Sequence, residues 1–259
     1  MKQIVERQRI PPSNMKLDIV MPVYNEGPNI RPVLESLRRE LKVPYRVLIC
    51  YDFDGDTTLG ALEALSPQEY KFELVKNNGR GVLDAIRSGL RATTSPFVLT
   101  FPADDVYNAP RINAMIEKAE SGCDIVCGSR FIDGGCMKDC PWLKAFLVRS
   151  SAFVIYHIAR VPSHDASNGL RLFSRRVIEQ IPIESQVGFA FSIELLVKCH
   201  RLGWPIGEVP FLWYERTVGK SRFRTLRWIP AYLRWMFYAF ATTWLRKTSV
   251  QTGAGSSAS

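Results

Sequence analysis

"FVLTFPADDVYNAPR", Phe97 to Arg111, is the stretch on which the fold turns. It begins as a short apolar run of the kind that forms a strand buried on both faces. It then delivers two adjacent carboxylates, Asp104 and Asp105, and reaches a proline that opens a helix. An acid pair at a strand end is by itself only a solvated loop, so its meaning rests on neighbouring strands. Four further runs share its character: "LDIVMPVY" (Leu17 to Tyr24), "YRVLICYD" (Tyr45 to Asp52), "FELVKN" (Phe72 to Asn77) and "DIVCGS" (Asp124 to Ser129). Between them, "NIRPVLESLRREL" and "VLDAIRSGLRA" carry the helical period. Strands alternating with helices predict the α/β class, a mostly parallel sheet flanked by helices.

In open sheets of this kind ligands bind beyond the carboxyl ends of the strands. Here those ends read "PVYNEG", "YDFDGDTT", "NNGRG", "PADD" and "GSRF". One rim thus gathers acids, amides, glycines and an arginine, a composition suited to a phosphorylated polar ligand held with a metal.

The chain has 259 residues, 46% of them hydrophobic, enough for a sizeable core. No apolar stretch follows the opening "MKQIVERQRIPPSN", so no signal peptide is read and a cytoplasmic location is expected. A net charge of +9 and a pI near 9.4 imply an anionic partner: nucleic acid, phosphorylated substrate or acidic membrane. The basic residues sit in separated loops rather than on one aromatic-basic surface, which argues against nucleic acid. Six cysteines include two pairs at C-x3-C spacing without a histidine cluster, read as reduced structural thiols. His157, His164 and His200 show no metal spacing and are read as structural.

Two nucleotide motifs are excluded. "GKS" at Gly219 to Ser221 lacks the earlier glycine of a phosphate loop, because Tyr214 occupies that place, and "GRGVLD" lacks the third glycine of a dinucleotide fingerprint. What remains, "IVMPVYNEGPNI", "YDFDGDTT", "NNGRGVLDAIRSGL", "TFPADD", "DIVCGSRF", "DASNGLRLFSRRVI", "GFAFSIELL" and "GEVPFLWYERTVGKSR", resembles family 2 glycosyltransferases in order and spacing. The resemblance is to the dolichol-phosphate mannose synthase and polyprenyl-phosphate glycosyltransferase branch, and it covers roughly Leu17 to Arg222.

That resemblance implies a GT-A fold moving a hexose from a nucleotide-diphospho-sugar, GDP-mannose or a UDP-sugar, to an acceptor. It implies that Pro22, Tyr24 and Glu26 line the base and ribose pocket, that Asp52 holds base or ribose, and that Asp54, Asp56, Thr58 and Gly81 complete the donor loops. Asp104 and Asp105 become the ligands of Mg²⁺ or Mn²⁺, although Pro102 stands where relatives carry a further acid. The implied acceptor is a polyprenyl or dolichyl monophosphate, an anionic nucleophile that needs no general base. Arg130 and Arg149 match positions that hold its phosphate, and Arg216, Lys220 and Arg222 lie in a phosphate-contacting loop. Arg171 and Asp165 are read as scaffold, and Glu194 and Glu208 are left open between the two roles. A non-lipid acceptor, or a catalytically silent nucleotide-sugar-binding protein, remains as an alternative.

The expected organisation is an arm at 1–16, the catalytic domain at 17–222, an amphipathic helix at 223–247 and a disordered tail at 248–259. "WIPAYLRWMFYAFATTWL", Trp228 to Leu245, is the most apolar stretch, with Arg224, Arg227, Arg234, Tyr238 and Thr242 near one helical face. It reads as a helix lying in the interface of the cytoplasmic face of a membrane, tryptophans and phenylalanines toward lipid. A single span, or a buried or oligomer-forming helix, stays open, as does a membrane-anchoring partner.

Overall fold

A computed structural model describes residues 15–214 and 225–245, with the side chains of residues 225–228 left out. The elements run β1 (Leu17–Pro22), α1 (Gly27–Glu40), β2 (Tyr45–Tyr51), α2 (Thr57–Glu63), α3 (Pro67–Tyr70), β3 (Phe72–Lys76), α4 (Val82–Ala92), β4 (Phe97–Thr100) and α5 (Arg111–Glu120). They continue β5 (Ile125–Ser129), β6 (Cys136–Lys138), α6 (Trp142–Phe153) with a π-helical turn at Val154–Ile158, β7 (Arg171–Ser174), α7 (Arg175–Gln180), α8 (Ala190–Leu202), β8 (Ile206–Pro210), β9 (Leu212–Tyr214) and α9 (Thr225–Trp244).

Seven strands form one sheet in the order β3-β2-β1-β4-β7-β5-β8, and β6 pairs with β9 in a small second sheet. All neighbours in the large sheet are parallel except β7, which runs antiparallel between β4 and β5. The five expected strands are present, each within two residues of its expected ends. Chain order reverses at β1, which pairs with β2 on one side and β4 on the other. This is the switch point where such sheets open a ligand crevice.

Alternation along the strands splits the interior into two cores. Ile19 and Met21 face α1 and α5 through Ile30, Leu34, Ile112 and Met115. Val20 and Val98 face the opposite side, with Ile86 of α4, Leu196 of α8, and Trp235 and Ala239 of α9. Helix α4 lies so close to the sheet that a Cβ on Gly89 would sit 2.5 Å from Val20 Cγ1 and 2.6 Å from Cys50 Sγ. That approach fixes the height of the helix whose N-terminus reaches the rim.

Near the sheet's other end a buried ion pair ties β1 to β2. Arg46 Nε donates to Asp18 Oδ1 at 3.0 Å, and the backbone N–H groups of Thr94 and Ser95 donate to Asp18 Oδ2 at 2.6 and 2.9 Å. Burial pushes the Asp18 carboxyl up, but Arg46 and the two N–H donors outweigh it and hold the pKa below the usual carboxylate value.

Candidate active site

The loops after β1 and β2 are stitched together across 31 to 32 residues of sequence. Asp56 caps α2 and accepts from the backbone N–H of Thr58 at 2.8 Å and of Asn25 at 3.0 Å on the same oxygen, Oδ1. Asn25, in the left-handed region at φ 55°, accepts from Thr57 N–H at 3.1 Å, and Glu26 N–H donates to Thr58 Oγ1 at 2.9 Å. Asp56, which the resemblance placed in the donor loops, is only 2% exposed, and its carboxylate serves the junction between them. The junction projects Tyr24, 46% exposed, beside the ring of Phe53 at 5.5 Å between centroids. Pro22 closes β1, and Glu26 is the N-cap of α1, its backbone carbonyl accepting from the N–H groups of Asn29 and Ile30 and its carboxylate from Asn29 Nδ2.

On the β2 and β3 side, Asp52 accepts from Asn77 Nδ2 at 2.7 Å and from Gly81 N–H at 2.8 Å. Gly81, at φ 84°, is the N-cap of α4, so Asp52 links the strand end to a helix N-terminus, whose backbone N–H groups favour anions. Asn77, a buried amide not singled out from sequence, orients this link by accepting from Gly79 N–H and Ser88 Oγ. Its signal was its place at a strand end. Asp54 is exposed and paired with Lys76 at 2.8 Å.

The two acids after β4 separate into different roles. Asp105 turns inward, accepting from the N–H groups of Tyr107 and Asn108 and from Asn108 Nδ2 at 2.8 to 3.0 Å. Burial is the main cause of its raised pKa, with these hydrogen bonds opposing it and the neighbouring Asp104 adding to it. Asn108 in turn bonds both the N–H and the carbonyl of Leu212 at 2.8 Å, fastening β9 beside the rim. Asp105, expected as a metal ligand, holds its own loop through these bonds, while Asp104 is partly exposed at the strand end. Among the described residues no group of three or more His, Cys, Asp or Glu side chains is arranged to hold a metal.

Beyond β5 lies the second half of the rim. Arg130 is engaged by Asp165, with Nε–Oδ2 2.6 Å and Nη2–Oδ1 2.8 Å, and also by Ser167 Oγ. Arg130, expected at the acceptor phosphate, is thus fixed in place by an ion pair to the segment after the π turn. Arg149, exposed on α6, lies over the Phe131 ring at 5.2 Å and has no ion pair among the described residues. It lines an open cleft of about 160 Å³ with Phe131, Ala152, Phe153, Tyr156, His157 and His164. His164, read as structural, bonds through Nδ1 to Glu208 Oε2 at 2.6 Å and stacks on Tyr156 at 3.8 Å between centroids. Arg171 is fully buried on the carbonyls of Asn168, Ser192 and Ala166, and Glu194 is buried against Lys198, so both hold the scaffold. Burial holds His200 below the usual imidazole value and pushes the Cys50 thiol up to about 12. Arg216, Lys220, Arg222, Arg224, residues 1–14 of the N-terminal arm and the C-terminal tail lie outside the described residues.

Helix α9 docks one face on the body. Trp235, 2% exposed, donates from Nε1 to Ser185 Oγ at 2.9 Å, and Arg234 pairs with Glu184 at 2.9 Å. The interfacial reading turned the helix's tryptophans toward lipid; Trp235 packs into the core instead. The opposite face still presents Leu233, Phe237 and Phe240, and α6 presents Trp142, Phe146 and Phe153, all exposed. Among the described residues no helix is long and apolar enough to cross a membrane.

The sequence model of the family described as Glycosyl transferase family 2 matches residues 18–182. The chain belongs to glycosyltransferase family 2. Among its relatives is the polyprenol monophosphomannose synthase of Mycolicibacterium smegmatis, 26% identical over 79% of each chain. Another is the dolichol-phosphate mannosyltransferase of Pyrococcus furiosus, 25% identical over 85% of this chain and 64% of the relative. In fold the protein matches glucosyl-3-phosphoglycerate synthase of Mycobacterium tuberculosis, solved with Mn²⁺, UDP-glucose and phosphoglyceric acid. There the TM-score is 0.65 at 17% identity, covering 92% of this chain and 82% of that one. This family 2 enzyme therefore has the GT-A architecture, and it is a glycosyltransferase.

Proposed function

We propose that this glycosyltransferase moves a hexose, with inversion, from a nucleotide-diphospho-sugar to a polyprenyl monophosphate at the cytoplasmic surface of a membrane. The observation that carries the reading is the Arg149 cleft: a cation without an ion pair among the described residues, in a concavity beside the exposed apolar side chains of α6. A lipid phosphate offers both an anionic head and an apolar tail to such a surface. The two relatives named for prenyl-phosphate mannosylation support the same acceptor class.

The donor lies across the β1/β4 crevice. Tyr24 and Phe53 offer ring faces to the base, and Asp52, steadied by Asn77 and Gly81 N–H, faces base or ribose. Asp56 holds both donor loops in register without touching the ligand. Asp104 supplies a hard oxygen donor, which fits Mg²⁺ or Mn²⁺ because such ions complete their shells with waters and substrate phosphates. When bound, the ion neutralises charge on the leaving diphosphate. Arg216, Lys220 and Arg222 are assigned to the phosphates by their sequence match alone.

In a single displacement the acceptor phosphate oxygen attacks the anomeric carbon from the side opposite the diphosphate, so configuration inverts. Orientation and charge stabilisation carry the rate. The test is transfer from an α-linked donor such as GDP-mannose to a short prenyl phosphate, with the anomeric configuration of the product read by NMR. A β-linked sugar phosphate is expected; a retained configuration or transfer to a sugar hydroxyl instead overturns the proposal.

A further inference from the structure

Glu208 and His164 stand 44 residues apart in sequence and meet at the Arg149 cleft. Strand β8 fixes Glu208 by pairing it with Cys127 of β5, and the carboxylate is only 12% exposed. Its Oε1 accepts from Ser163 Oγ at 2.9 Å and from the His164 backbone N–H at 2.7 Å, leaving Oε2 for the ring at 2.6 Å. The imidazole is therefore held at Nδ1 and clamped against Tyr156, and Nε2 is the ring nitrogen left for the cleft. This is more support than a merely space-filling histidine requires. A carboxylate on Nδ1 sets the tautomer whose Nε2 accepts a proton, and it steadies the imidazolium that results.

Resting on the reading that the acceptor is a phosphate monoester, we infer that His164 is a catalytic residue that shares one proton with the acceptor phosphate through Nε2, with Glu208 as its positioning residue. A phosphate monoester loses its second proton near pH 6, so at neutral pH part of it arrives as the weaker nucleophile, the monoanion. In the step, the phosphate O–H proton passes to Nε2 and the freed oxygen forms the bond to the anomeric carbon. The bond from that carbon to the diphosphate breaks with its electron pair on the leaving nucleoside diphosphate, and the imidazolium later returns its proton to water. While charged, the imidazolium stands with Arg149 as a second cation on the acceptor. The charged and titratable groups around the ring are Glu208 from β8, Arg149 from α6, Tyr156 and His157 from the π turn, and the Asp165–Arg130 pair that follows His164 in the chain.

The experiment measures kcat/KM for a short prenyl phosphate between pH 5 and 9 for the full chain and for His164→Gln, which keeps polarity but cannot accept a proton. The wild-type profile should be a bell, because the reactive complex holds one proton between ring and phosphate. The variant should instead rise to a plateau with a single ionisation. It should fall short of wild type by about tenfold or more at pH 6 and approach it by pH 8.5. Glu208→Gln should move the alkaline limb to lower pH. Unchanged thermal melting of both variants confirms folding. A variant profile superimposable on wild type, or lowered by one constant factor at every pH, overturns the role of His164 while leaving the transfer reading intact. Absence of wild-type transfer to any prenyl phosphate overturns both.

Discussion

Asp56→Ala and Asp56→Asn form a pair whose outcomes the structure separates. In the native loop junction Oδ1 accepts from Thr58 N–H at 2.8 Å and shares the Asn25 N–H with Oδ2, at 3.0 and 3.1 Å, and the residue is 2% exposed. Alanine removes the N-cap, worth about 1 kcal/mol, and leaves a partly buried N–H without a partner at about 1–3 kcal/mol, so the total loss is about 2–4 kcal/mol. For a domain of this size that lowers Tm by roughly 5–15 °C. Asparagine can place its carbonyl where Oδ1 lies and keep the bonds to Thr58 and Asn25 there, losing the Oδ2 branch to Asn25 and the charge assistance, together about 1 kcal/mol. The assays are urea unfolding monitored by circular dichroism and KM for the nucleotide-sugar. Alanine should destabilise and raise KM together, because the junction positions Tyr24 and Phe53; asparagine should cost about 1 kcal/mol and leave KM near wild type. If asparagine raised KM as strongly as alanine at undiminished stability, Asp56 would touch the donor and the scaffold reasoning would fail.

Asp104→Asn should lower kcat/KM by about 10²-fold or more without changing Tm, whereas Asp105→Asn should act chiefly on stability, read by thermal melting beside turnover. Arg149→Ala should raise KM for the acceptor by about 10- to 100-fold with donor KM unchanged, and Arg149→Lys should recover part of the loss. Asp18→Asn leaves Arg46 with Glu73 as its remaining carboxylate, beside Thr94 Oγ1, and should cost about 3–5 kcal/mol at pH 7 in urea unfolding. Because the folded Asp18 carboxyl titrates below its unfolded value of 3.8, its contribution is present above that pH and is lost as pH falls through the folded value. The gap between Asp18→Asn and wild type should therefore close in strong acid.

The parallel strands were legible because each is buried on both faces and so reads as a continuous β-branched run, as in "LDIVMP" and "YRVLICY". Strand β7 was not, since "RLFS" is four residues long and its antiparallel insertion is decided by its neighbours β4 and β5. The residues gathered at the rim were also legible, because strand ends in a parallel sheet share one edge. Which oxygen atoms face the crevice was not. A carboxylate that accepts from its own loop, as Asp105 does, has the same letter as one that faces a ligand. The spacing of Asp105 and Asn108 was the available hint of a side-chain-capped turn. Arg130 with Asp165, and His164 with Glu208, meet across 35 and 44 residues and leave no local mark. Helix α9 was legible as amphipathic but not as docked, because the pocket that takes Trp235 is built from α8 and the segment around Ser185.

The most direct test of the central claim is transfer of radiolabelled sugar from a panel of GDP- and UDP-sugars to a short polyprenyl phosphate, with and without Mg²⁺ or Mn²⁺. The account predicts label in the lipid phase from one nucleotide series, dependent on the added ion and lost in Asp104→Asn. Donor hydrolysis without lipid label, or silence across the panel, would contradict it.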